Sequence, residues 1–305
     1  LWRGLHCHDI FTTGVAAVAQ QLGGWAWALA FSGVGAKPPR SFLDNEPLKE
    51  LLSREVDFDR IETMTREGVL YALAVTASCY STGQSTTFFQ GAEPGTGWQR
   101  ARRSGAASRI GVDHVLASAA LPGVFPARRI DEYWYGDGAL RQNAPLSPAL
   151  HLGCDRLLMI AARDGAPDDD AGLLFDSDID PSLGLIAGQL LDIIFNDNLD
   201  ADLERLERVN ATLHTMMPAR RGRTGLSHVD HFLGRPCEDI RLRAGQHAHE
   251  APWTIRSLLG LLGAQRSPWV LPSYLTFEPG YIGSLIDLGR QDALAMKPKI
   301  DHLLK

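Results

Sequence analysis

Apolar residues follow a β-type pattern in four segments of the chain. Residues 69–80 and 85–90 are rich in strand-forming residues and flank Thr82-Gly83, so they predict two strands joined by a turn. Residues 130–135 predict another strand, which ends at Gly136-Asp137-Gly138. Residues 156–162 contain a Leu-Leu-Met-Ile run that predicts a strand buried on both faces.

Helical spacing occupies the segments between and after these strands. Asp44 can cap a helix that has Pro47 in its first turn, and residues 112–120 and 145–152 predict short helices. A long helix is predicted after residue 182 and a last one over 279–295, whereas 165–180 and 211–270 read as loops. The apolar stripe of the long helix is Leu183, Ile186, Leu190, Ile194, Leu203 and Leu206. Alternating strands and helices predict an α/β fold with a largely parallel sheet and a helical C-terminal part.

Composition narrows the class of protein. The 305 residues are 45% hydrophobic and 22% charged, as expected for a globular protein with a core, and the net charge of -6 argues against nucleic-acid binding. No apolar run approaches the roughly 20 residues that a membrane-spanning helix needs. The four widely spaced cysteines predict reduced thiols and a cytoplasmic protein. Because the chain begins at Leu1, a signal peptide or another N-terminal motif would lie outside this sequence.

The segment from Ser118 to Asp137 is the richest in candidate chemistry. Ser-Ala-Ala-Leu-Pro-Gly-Val-Phe-Pro predicts a helix that breaks at proline and glycine, and the next strand delivers Asp137 into a turn. The flanking glycines, Gly136 and Gly138, allow positive φ angles and the close approach of another chain segment or a ligand. From these residues alone, Asp137 is either a turn residue that binds nearby backbone amides or a catalytic carboxylate.

Taken together, these elements resemble the patatin-like phospholipase family. The resemblance rests on the 118–126 segment, Trp134-Tyr135, Asp137-Gly138-Ala139 and Asn143-Ala144-Pro145, with looser similarity at 42–48, 199–206 and 273–277. It implies a three-layer α/β/α domain with a mostly parallel central sheet over residues 1–163 and a mainly helical extension over 164–305. It also implies a lipid acyl hydrolase with Asp137 as the base of a Ser–Asp dyad in an Asp137-Gly138-Ala139 motif. The substrate would be a lipid or another acyl ester, and no cofactor or metal is expected.

Two parts of the family pattern are missing from the sequence. Neither a G-x-S-x-G elbow nor a glycine-rich oxyanion loop is found. Ser85 follows Gly83 but has Thr87 in place of the second glycine, and Ser32 has Ala30 in place of the first. The segment Gly33–Lys37 is followed by two prolines. We therefore expect the nucleophile to precede Leu1 and this chain alone to be inactive. The alternative is a non-catalytic lipid-binding or regulatory protein that lacks the serine.

Other candidate sites have simpler explanations. His6-Cys7-His8 and the His228–His231 pair offer too few convergent ligands for a metal, although His228 is a conceivable base for a Ser-His-Asp hydrolase. The acidic residues of 168–180 lack the pattern of a calcium loop. The basic runs 100–103 and 220–223 are solvated surface or peripheral contacts with anionic lipid headgroups.

Overall fold

The chain divides into two compact units. The computed structural model describes residues 2–14, 19, 23–24, 27, 41–91, 93, 97–163 and 180–305. An N-terminal unit comprises residues 6–143, and a C-terminal unit comprises residues 144–305 together with the first few residues of the chain. The division into units therefore falls earlier than the domain boundary expected at residue 163, which stays a prediction.

The N-terminal unit combines strands with short helices. Its helices are α1 (Cys7–Ile10), α2 (Glu46–Glu55), α3 (Phe58–Arg66) and α4 (Val112–Ser118). Its strands are β1 (Ala72–Cys79), β2 (Ser85–Gly91), β3 (Trp98–Arg100), β4 (Arg103–Ala107), β5 (Arg128–Ile130) and β6 (Tyr133–Asp137). A 3-10 turn, Gly138–Leu140, follows β6 directly.

The six strands form one mixed sheet in the order β3-β4-β2-β1-β6-β5. The predicted hairpin is confirmed, since β1 and β2 pair antiparallel with Ala77 opposite Thr86. The predicted parallel character of the sheet is wrong for this part of the chain. Only β2 and β4 run parallel among its pairs, because short turns between β1 and β2 and between β5 and β6 reverse the chain.

The single strand predicted over 130–135 is a tight hairpin. Asp131 adopts a left-handed conformation with φ of 51° between β5 and β6, which turns the chain back on itself. Helix α4 covers one face of the sheet, where its Ala117 joins a buried apolar cluster. The other members of that cluster are Ala77, Cys79, Phe88, Ile130 and Tyr135. The α/β class is thus confirmed, and the sheet places the end of β6 beside β1.

The C-terminal unit is mainly helical, as predicted. Its helices are α5 (Ser147–His151), α6 (Leu183–Thr215), α7 (Pro218–Arg221), α8 (Ile240–His247), α9 (Trp253–Leu261), α10 (Val270–Leu275) and α11 (Pro279–Leu303). Strands β7 (Arg156–Ile160) and β8 (Asp230–Gly234) pair in parallel. Leu157 and Met159 of β7 pack with Leu206 of α6 in the core of this unit.

Three details of the C-terminal unit differ from the sequence expectations. Residues 211–270 are not mainly loop, because they contain β8, α7, α8 and α9. Strand β7 is buried on one face only, and Ile160 is 84% exposed. In the apolar stripe of α6, Leu206 is buried whereas Leu183 and Leu190 are exposed. Ser32, the segment 33–37, and nearly all of the acidic loop lie outside the described residues.

Candidate active site

Asp137 lies at the last position of β6, where the strand passes into a 3-10 turn. It pairs with Ala77 of β1, and its backbone N–H donates to the Ala120 carbonyl over 3.1 Å. The side chain is 5% exposed. Strand β1 and the Ala120 carbonyl therefore fix the backbone of Asp137, and its carboxyl group is held away from water.

The Leu-Pro-Gly segment reaches this position directly after α4. Ala120, which accepts the Asp137 N–H, is buried just before the break in the helix. Gly123 has a φ of 76° and turns the chain so that its carbonyl accepts from Phe42 N–H over 2.7 Å. The Val124 carbonyl accepts from Leu43 N–H over 2.8 Å. The 118–126 segment thus lies between the end of β6 and the 42–43 segment and is hydrogen-bonded to both.

The glycines on either side of Asp137 are required for close packing. Neither has a positive φ, so this part of the sequence interpretation was wrong. A methyl group on Gly138 would collide with the Thr76 carbonyl of β1, and one on Gly136 would collide with the ring of Tyr80. The other reason given for these glycines, the close approach of another segment, is confirmed.

Two hydrogen bonds define the turn that follows Asp137. Its Oδ1 accepts from Ala139 N–H over 2.9 Å, and the Gly138 carbonyl accepts from Ser78 Oγ over 3.1 Å. Ser78 is buried on β1 opposite Gly136. Ser78 and Tyr80 were not singled out from the sequence, because the pairing of β1 with β6 that places Ser78 beside this turn joins strands far apart in the chain.

Burial changes the acidity of Asp137. Desolvation raises the pKa of its carboxyl from 3.8 to about 6, and the hydrogen bond from Ala139 N–H opposes part of that rise. Burial and the charge of Asp137 both raise the pKa of the Tyr80 phenol. A carboxylate with a pKa near the working pH can accept a proton and return it, which is what a general base must do.

The described part of the chain offers Asp137 no hydroxyl partner. The hydrogen bond from Ala139 is the sole one to its carboxylate there. Ser78 donates elsewhere, and Ser85 lies buried at the start of β2, not at a strand-to-helix elbow. The site, as described, therefore holds a buried carboxylate and its supporting turn.

Comparison with protein families identifies the segment that carries this turn. Residues 6–150 match the model of the family described as patatin-like phospholipase. This match covers a little less than half of the chain, and it makes residues 6–150 the region that is similar to that family. Searches of curated proteins and of solved structures found no match.

The patatin-like domain includes all the motif residues discussed above, and most of the C-terminal unit lies beyond it. Members of this family are lipid acyl hydrolases, so a lipid substrate is compatible with the domain. None of the helices described for this chain is both long enough and apolar enough to cross a bilayer.

The candidate metal ligands His6, Cys7 and His8 lie at the start of α1, where His6 directly precedes the helix. The imidazoles of His6 and His8 stack with their centres 5.1 Å apart, and the Cys7 thiol between them is buried. No group of three or more His, Cys, Asp or Glu side chains in the described ranges is placed to hold a metal ion. Two stacked imidazoles do not form a tetrahedral site.

The remaining histidine and arginine candidates have local partners or lie in turns. His228 Nδ1 lies 3.6 Å from Asp230, and His231 Nε2 lies 3.4 Å from Glu207. In the second basic run, Arg221 donates to the Met216 and His214 carbonyls and so caps the end of α6. In the first basic run, Arg102 has a φ of 59° in the turn between β3 and β4.

Proposed function

We propose that this protein is a lipid acyl hydrolase that uses a Ser–Asp dyad, with Asp137 as the base. The patatin-like match supports the reaction class. The observation that carries the proposal is the buried carboxylate at the end of β6, whose pKa is raised to about 6. At neutral pH this group is ionised and able to take up a proton, whereas an ordinary aspartate is a weaker base.

In the proposed reaction, Asp137 takes the proton of a serine hydroxyl while the serine oxygen attacks the acyl carbonyl. The tetrahedral intermediate collapses with cleavage of the ester bond, and the protonated carboxyl returns its proton to the departing alcohol. Water then attacks the acyl-serine, again losing a proton to Asp137, and the fatty acid is released as the serine recovers its hydrogen. Backbone N–H groups must stabilise the oxyanion in both halves.

The serine is not identified within these residues. The 305-residue sequence contains no G-x-S-x-G elbow. We propose that the nucleophile and the oxyanion loop are encoded upstream of residue 1 and that this chain alone is inactive. The protein is proposed to be cytoplasmic or peripheral to a membrane, with a lipid or another acyl ester as substrate.

The test compares two neutralised carboxyl groups in a protein that joins this chain to its upstream coding sequence. Asp137→Asn should abolish ester hydrolysis and fluorophosphonate labelling, because the amide cannot accept the serine proton. Asp131→Asn is the matched control, since Asp131 is an exposed carboxylate on the same hairpin and asparagine tolerates its left-handed conformation. Hydrolysis that survives Asp137→Asn would remove Asp137 from the mechanism.

The second candidate is a non-catalytic lipid-binding or regulatory protein on the same scaffold. The missing elbow favours it. It predicts that the upstream coding sequence contains no G-x-S-x-G and that the natural protein does not react with fluorophosphonates. An elbow upstream together with labelling of its serine would exclude this candidate.

A further inference from the structure

Helix α6 carries apolar side chains on the face that points away from its own unit. Its packed face is marked by Gly188, which lies against Val270, and by Phe195, whose ring centre is 5.5 Å from that of Tyr274. The opposite face of the first three turns holds a row of exposed apolar residues. They are Leu183, Ile186, Leu190 and Ile193. Spacings of three and four residues align them in one stripe.

Helix α9 also exposes apolar residues. Its inward face is Thr254, Ile255, Leu258 and Leu259, all of which are buried. Its outward face is Trp253, Arg256, Ser257, Gly260 and Leu261. Trp253 is 57% exposed and Leu261 is 77% exposed. Trp253 and Leu261 are residue types that enter a lipid interface, and Arg256 on the same outward face is a residue type that contacts lipid phosphates.

Hydrogen bonds join the start of α6 to the end of α9. Gly184 N–H donates to the Leu262 carbonyl over 2.7 Å, and Ser182 Oγ donates to the Gly263 carbonyl over 2.9 Å. Leu183 and Leu261 are each one residue from these bonds, and they are 75% and 77% exposed. We call the outward faces of α9 and of the first three turns of α6, with the turn at 262–266, the α6–α9 surface.

The charges of this surface are of one sign. Residues 181–191 contain no charged side chain, and residues 251–275 contain Arg256 and Arg266 but no Asp or Glu. Both arginines are exposed. The whole chain has 36 acidic residues and a net charge of -6, so their absence here is a local departure from its composition. Exposed apolar residues beside cations complement an anionic lipid surface.

We propose that the α6–α9 surface docks the protein on anionic lipid membranes. Leu183, Leu190 and Leu261 enter the outer part of the acyl region, Trp253 lies at the headgroup level, and Arg256 and Arg266 contact lipid phosphates. The surface belongs to the C-terminal unit and includes none of the groups in the proposed hydrolytic site. The inference therefore goes beyond the proposed function, and it is measured without turnover.

The experiment measures co-sedimentation of the chain with vesicles of phosphatidylcholine and phosphatidylglycerol, and with vesicles of phosphatidylcholine alone. Leu183→Ser with Leu261→Ser should weaken binding about tenfold or more, because both side chains lose their contact with the acyl region. The matched control is Leu294→Ser on α11, where the leucine is 64% exposed outside this surface. This control should bind as the unchanged chain does.

The arginines are tested separately. Arg256→Ala and Arg266→Ala should each lower affinity about fivefold for vesicles with phosphatidylglycerol and change binding to phosphatidylcholine little. Asp137→Asn should bind normally even if the proposed hydrolysis fails. Unchanged vesicle binding by the double leucine variant would overturn the proposal, as would an equal loss in the Leu294 control. Conversion of a dimer to a monomer with vesicle binding intact would assign the surface to self-association instead.

Discussion

Replacing Asp137 with asparagine should make the folded protein more stable near neutral pH. The aspartate is 5% exposed, and burial raises the pKa of its carboxyl to about 6. Asparagine has nearly the same shape, carries no charge and still accepts the Ala139 N–H through its amide oxygen. The substitution thus removes a buried charge without removing the turn.

The sign and size of the effect follow from proton linkage. The folded-state pKa lies above the ordinary 3.8, so the folded protein binds more protons between those two values than the unfolded chain does. Stability therefore falls as pH rises through that window, and the deficit is fully present above it. A rise of about two pKa units corresponds to roughly 3 kcal/mol. Asparagine should recover about that much at neutral pH and less than about 1 kcal/mol near pH 4.

Urea unfolding of this chain and of the Asp137→Asn variant, followed by circular dichroism, measures the stability gain at about pH 7.5 and at about pH 4. Asp131→Asn serves as the control for removing one exposed carboxylate, and it should change the free energy of unfolding by less than about 0.5 kcal/mol. Equal stability of Asp137→Asn and the unchanged chain at both pH values would refute the reasoning. So would a lower stability of the variant at neutral pH, since the carboxylate would then be well solvated or paired.

Three further predictions concern the same unit. Gly138→Ala should destabilise the fold by about 2 kcal/mol or more in urea unfolding, because the methyl group meets backbone; Gly111→Ala, with open space around it, should not. Arg128→Ala should lower the free energy of unfolding by about 1–3 kcal/mol, because the fully buried Asn45 side chain loses the hydrogen bond that Arg128 donates to it. Equal urea midpoints for the variant and the unchanged chain would contradict this. In a protein with the serine present, kcat/KM should fall as pH drops below about 6, where Asp137 becomes protonated; a flat profile would exclude it as the base.

A stabilising substitution at a proposed catalytic position has a physical explanation. A base must remain poised to accept a proton, and burial without a matching cation achieves this at the expense of stability. The residues that hold the turn after Asp137 instead stabilise the fold. Ser78 binds the Gly138 carbonyl, and the Thr76 carbonyl contacts Gly138 closely, so the turn itself is held by β1.

The sequence by itself indicated the family resemblance and the local elements. The 118–139 motif is read from adjacent residues, and its match to the patatin-like family is confirmed. Helix α2, the β1–β2 hairpin and the starts of the two long helices also follow from local signals such as a proline in the first turn, a turn glycine and apolar spacing. Each of these depends on residues that are close together in the chain.

Tertiary structure decided what depends on distant residues. Strand direction in the sheet is set by which strands pair, so the mixed order could not be derived from strand-like segments alone. Whether β7 and the first turns of α6 are buried depends on what packs on them, and an apolar pattern is the same whether or not it is covered. The acidity of Asp137 likewise comes from the strands and loop that surround it. The order of residues in the sequence places a carboxylate in a turn, whereas packing by the rest of the fold excludes water from that carboxylate.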